Sequence, residues 1–177
     1  MSDRAGQARA LTLFTPIRPG EEHALREYLT GLPRGTGSPL AASDRTHVAR
    51  WLIVDRLPDY CVPRQDRLRR QQLLFSSSFD GDERSYLEGL TDLLLTQIPE
   101  IWGRCEGFPG VQSRSQFVGW LLEHRVRTSF FFGAYGDATL HEVRNALAAR
   151  DQVLGFALRA QQLDPQARLQ AFREAFP

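Results

Sequence analysis

A chain of 177 residues, 42% hydrophobic and 24% charged, holds enough material for one well-buried soluble domain and little for two. Its net charge of +1 excludes a bulk field that would draw it to nucleic acid or to an acidic membrane. No apolar run approaches the roughly 18 to 20 residues of a membrane span, and the first ten residues lack the apolar core of a signal peptide.

The chain contains no lysine, so any working cation other than histidine is an arginine and does not titrate. Cys61 and Cys105 form neither a C-x-x-C pair nor a zinc spacing, and no H-E-x-x-H or glycine-rich phosphate loop occurs. The simplest reading is a reduced, cytoplasmic protein without a structural metal.

Residues 1–9 read as a flexible N-terminal arm, and 10–177 as a single domain. The run A-L-T-L-F-T-P-I alternates as a strand with Leu11, Leu13, Thr15 and Ile17 on one side. Pro16 cannot donate a ladder hydrogen bond, which favours the strand end or a bulge there. A helix follows Pro19-Gly20, its inner face marked by Ala24, Leu25, Tyr28, Leu29 and Leu32, and Gly31 and Pro33 end it. Residues 33–45, rich in Gly, Pro and Ser, make a long loop that is either functional or simply mobile.

Two strands come next, T-H-V-A-R-W-L-I-V-D and Q-Q-L-L-F-S-S-S-F-D. They are joined by a proline-rich connection whose Arg64, Arg67, Arg69 and Arg70 form a local basic patch. Asp82 caps a second helix with Tyr86, Leu87, Leu90, Leu93 and Leu94 inward. A helical insertion (about 99–124) leads into R-V-R-T-S-F-F-F-G-A-Y, Arg125 to Tyr135, read as the fourth strand. Thr139 and Glu142 fit a capping box on a long helix, and Asp164-Pro165 opens a last amphipathic one. The order β-α-β-β-α-(α)-β-α-α predicts an α+β, ferredoxin-like (split βαβ) antiparallel sheet with extra helices. Helices on one face leave the other needing cover, which a second copy supplies in a dimeric α+β barrel.

Three stretches carry a likeness: T-H-V-A-R-W-L-I-V-D, L-L-F-S-S-S-F-D-G-D, and F-F-F-G-A-Y-G-D-A-T-L-H-E-V-R-N-A. From Leu11 to about Leu158 the chain resembles a largely uncharacterised bacterial family with T/I-H-F-A-R-W-V, L-L-F-x-S-N-F/Y-D-G and F-Y-x-A-Y-P-G-x-T motifs. Val48 stands for its Phe, Ser78 for its Asn, and Asp55-Arg56 for its paired aspartates. The resemblance implies a ferredoxin-like domain associated with haem peroxidase or catalase partners. A weaker likeness is to dye-decolourising peroxidases, which carry G-x-x-D-G on the same fold; the first glycine is Ser77 here. Haem is the cofactor these likenesses imply, although no motif assigns a proximal histidine.

The candidate catalytic residues are His47, Arg50 and Asp80. An arginine within an apolar strand must be paired or face a cavity, and Asp80 is its expected ion partner. His47 either bonds a backbone carbonyl or shuttles a proton. Strict alternation puts it opposite Arg50 unless the strand bulges. Trp51, Phe75, Phe130, Phe132 and Tyr135 are the expected walls of a ligand pocket, although the phenylalanine run equally suits a sheet core. His141, in the first turn of the long helix, is a candidate cofactor ligand or a surface residue.

The leading expectation is a homodimeric domain of oxidative metabolism that binds a hydrophobic or haem-like ligand or an oxidative enzyme. Rival readings are a cofactor-independent oxygenase or cyclase acting on an aromatic or polyketide substrate, and a structural dimerisation module.

Overall fold

A computed structural model describes residues 3–57 and 66–176. Arg64 and Cys61 lie outside the described residues, as does the side chain of Arg67, so the basic patch is seen only at Arg69 and Arg70. The chain divides into two compact units, Met1–Thr139 and Leu140–Pro177, where the sequence reads as one domain.

The first unit is α+β. Its antiparallel sheet has the order β1-β2-β4-β3, from β1 (Arg4–Ala5), β2 (Ala8–Pro16), β3 (Thr46–Leu57) and β4 (Asp66–Asp80). Helices α1 (Glu22–Gly31), α2 (Glu83–Leu93), α3 (Ile98–Ile101) and α4 (Arg114–Glu123) complete the unit.

The alternation in β2 is realised: Leu11, Leu13, Thr15 and Ile17 are buried, with Leu73, Phe75 and Phe79 of β4 beside them. Helices cover this face through Leu25, Tyr86, Leu87, Leu90, Ile101 and Phe117 among others. Trp102 sits at the hub of an aromatic cluster, with ring centroids 6.1 Å from Trp51, 5.6 Å from Phe75 and 5.8 Å from Phe117. Asp82 caps α2 by accepting from the Ser85 amide at 2.9 Å.

The fourth strand expected at Arg125 to Tyr135 does not form. Arg125 makes one isolated bridge with Leu13, and the chain then turns at Gly133–Tyr135, with Gly136 N donating to Gly133 O. Competition along the outer edge of β2 explains this. The peptide groups of alternate residues point out of that edge, and three short segments divide them. Ala10 N donates to Asp3 O at 2.8 Å; Val126 N donates to Thr12 O at 2.8 Å and Phe14 N to His124 O at 2.9 Å; Glu106 N donates to Pro16 O at 2.8 Å. Residues of the presumed N-terminal arm therefore supply the edge strand. Pro16 fits because its missing N–H falls on this outer edge, where only its carbonyl is used.

The second unit is a helical hairpin of α5 (Leu140–Ala160) and α6 (Pro165–Ala175). Asp164 caps α6 by accepting from Gln166 N and Ala167 N. Phe156, Phe172 and Phe176 pack together with centroids 5.1 to 5.7 Å apart. Among the described residues no helix is long and apolar enough to cross a membrane.

Candidate functional site

The face of the sheet away from the helices carries the alternate residues of each strand. Register fixes its rows. Phe14, Leu74 and Leu52 form an apolar row; Thr12, Ser76 and Arg50 form the next; Ala10, Ser78 and Val48 the next; Ala8 and Asp80 close the end. The face is thus apolar at one end, short-chained and hydroxylic in the middle, and acidic at the other. Val48 is 64% and Leu52 45% exposed, so the helices of the first unit leave them uncovered.

His47 reaches this face through a bulge. Thr46 lies opposite Phe79 and Val48 opposite Ser78, so His47 is the extra residue, and the ladder absorbs it by turning its side chain toward Asp80. Its Nε2 lies 2.7 Å from Asp80 Oδ1, with the two side chains 20% and 12% exposed. A carboxylate on one ring nitrogen fixes the tautomer and orientation of the imidazole, as a general base or polar anchor requires.

Arg45 holds the other side of this corner, and no local pattern of residues singles it out. Its backbone carbonyl accepts from Asp80 N at 3.0 Å. Its guanidinium donates to Asp80 O (2.9 Å), Asp82 O (3.1 Å) and Ser85 Oγ (2.9 Å). Gly81, with φ +88°, passes beneath it, and a Cβ there would meet Arg45 Nη2 at 2.6 Å. Behind the corner Thr46 Oγ1 links Ser43 Oγ (2.7 Å) to Tyr86 OH (3.2 Å). Burial raises the Tyr86 phenol above its ordinary range, and its hydroxyl contact with Thr46 opposes that. It is a neutral strut.

The structure brings His47 and Asp80 together and leaves Arg50 out. Arg50 is exposed and makes no ion pair among the described residues, because Asp80 lies two rows away and is held by His47. The expected Arg50–Asp80 pair is therefore a His47–Asp80 pair. The five expected pocket residues do not form one pocket. Phe75 is fully buried in the core, and Trp51 packs against it at 5.2 Å on the helix-covered face. Trp51 also floors a half-open groove of about 220 Å³ with Leu29, Leu32, Leu40 and Arg34. Phe130, Phe132 and Tyr135 are 82%, 74% and 78% exposed, in the stretch that forms no strand. His141 is exposed, its Nε2 2.9 Å from Asn145 Nδ2. No group of three or more His, Cys, Asp or Glu that could hold a metal ion occurs among the described residues.

No family model, curated protein or solved structure matches this chain.

Proposed function

We propose that the chain is a small-ligand-binding domain of the ferredoxin-like kind, whose working surface is the open sheet face. The observation that carries this reading is the composition of that face: an apolar row, a short-chained centre and a partly buried His47–Asp80 pair on one continuous surface. Short side chains at Ala10, Thr12, Ser76 and Ser78 leave depth in the middle, and apolar ligand sites combine such space with a few fixed polar groups. A second copy closing over the face would turn it into an enclosed pocket, in the manner of a dimeric α+β barrel. In support of split βαβ connectivity, α1 separates β2 from β3, and β2 and β4 pair at the centre of the sheet.

Haem does not fit this face. His47 is the histidine that the register brings to this face, and its Nε2 is held by Asp80. A second reading is favoured by the His47–Asp80 pair itself: cofactor-independent acid–base chemistry on an aromatic or polyketide substrate held on the same face, with His47 as base. Soluble, cytoplasmic use, alone or docked on an oxidative enzyme, suits either.

The test is light scattering on the full chain at micromolar concentration, beside the variants Val48→Arg and Leu52→Arg. Both side chains are exposed, so the variants keep the fold. A dimer that the two substitutions dissociate supports the reading. A monomeric wild type that the substitutions leave unchanged refutes the closed pocket.

A further inference from the structure

The centre of the open face holds a group that nothing among the described residues satisfies. Arg50, Ser76 and Thr12 lie side by side on β3, β4 and β2, with Ser78 one row along. Adjacent strands place such neighbours roughly 5 Å apart. No hydrogen bond or ion pair of the Arg50 guanidinium, or of these three hydroxyls, is made among the described residues. Other arginines of the sheet unit, Arg45, Arg70, Arg104, Arg114 and Arg125, each engage a carboxylate or carbonyl; what sets Arg50 apart from the remaining unbonded ones is its place between apolar rows with two hydroxyls beside it.

We infer that the ligand of this face is an apolar monocarboxylate, its carboxylate held by Arg50 and by the hydroxyls of Ser76 and Thr12. The inference rests on the ligand-binding reading above. A single guanidinium presents a planar fork that matches a carboxylate in bidentate fashion. Ser and Thr hydroxyls beside it donate to the remaining lone pairs. One cation balances a monoanion, whereas a phosphate dianion at this spot would face Asp80 two rows away with one charge unmatched. The direction of the tail follows from the rows. The Asp80 end is anionic and occupied by His47. The other side is the Phe14–Leu74–Leu52 row, which begins roughly 7 Å from Arg50 along the strands. That distance suits an aromatic ring on a short acyl arm.

The experiment uses 3-phenylpropanoate and its neutral amide, titrated calorimetrically into the full chain and into Arg50→Gln and Arg50→Lys. Arg50 is exposed and makes no ion pair among the described residues, so both variants keep the wild-type melting temperature. The expected result is binding of the acid at least tenfold tighter than of the amide. Arg50→Gln should abolish that preference, and Arg50→Lys should keep part of it. Equal binding of acid and amide, or an acid affinity unchanged in Arg50→Gln, overturns the carboxylate assignment and leaves the apolar binding face standing. Binding of neither compound, with the oligomeric state intact, overturns both.

Discussion

The contact between Gly81 and Arg45 allows a sharp test of how the corner beside His47 and Asp80 is held. Replacing Gly81 by Ala has two separable costs. A φ of +88° is disfavoured for an L-residue by about 1–2 kcal/mol, whatever surrounds it. The new Cβ also falls 2.6 Å from Arg45 Nη2. The guanidinium must swing away and give up its bond to Asp82 O, worth about 1 kcal/mol net, and weaken its bond to Ser85 Oγ. Gly81→Ala should therefore destabilise by about 2–4 kcal/mol in urea denaturation. In an Arg45→Ala background the clash is gone, and the same substitution should cost about 1–2 kcal/mol, so the two changes are less than additive. An equal cost in both backgrounds would show that Arg45 does not lie over Gly81, and the described corner would be wrong.

His47 and Asp80 should be coupled in a double-mutant cycle, while Arg50→Ala changes stability by less than about 0.5 kcal/mol; coupling of Arg50 to Asp80 would refute the bulged register. Trp102→Ala should cost about 3–5 kcal/mol in chemical denaturation, since the ring is fully buried among Trp51, Phe75 and Phe117; an unchanged midpoint would mean the hub is not packed. Burial pushes the Cys105 thiol up to about 11, with its contact to Thr15 and the charge of Arg18 opposing the shift. The folded chain then keeps a proton that the unfolded chain loses, so this contribution is whole below about pH 9 and is lost as pH rises toward 11. Urea midpoints from pH 8 to 10.5 should fall less steeply in Cys105→Ala than in the wild type, and parallel slopes would refute the buried thiol.

What the sequence made legible is what local periodicity encodes. Leu11, Leu13, Thr15 and Ile17 alternate without interruption, and their burial follows. Asp82 and Asp164 stand where helices must begin, and both cap. The site is less legible, because its geometry depends on one irregularity. The run T-H-V-A-R-W reads as unbroken alternation, and only pairing with β4 reveals that Thr46 and His47 share one partner. That single extra residue turns His47 to Asp80. The stretch 125–135 misleads for a different reason. Its three consecutive phenylalanines have high strand propensity, but propensity cannot show that most of β2's outer edge is already taken by the N-terminal residues and by Glu106. Arg45 is invisible because its partners are mostly backbone carbonyls.

The parcelling of that edge also governs the order in which the fold can be completed. The hairpin of β1 and β2 is available once Pro16 has been made, but Thr12, Phe14 and Pro16 obtain their outer partners from Val126, His124 and Glu106. During synthesis the strand therefore waits for about a hundred further residues with its edge open. Such long-range closure slows folding and leaves a template for pairing with another chain. Proline at position 16 limits the hazard, because the end of the strand that waits for Glu106 offers a carbonyl without an N–H. A Pro16→Val variant should leave the folded sheet intact and give more aggregate on rapid refolding.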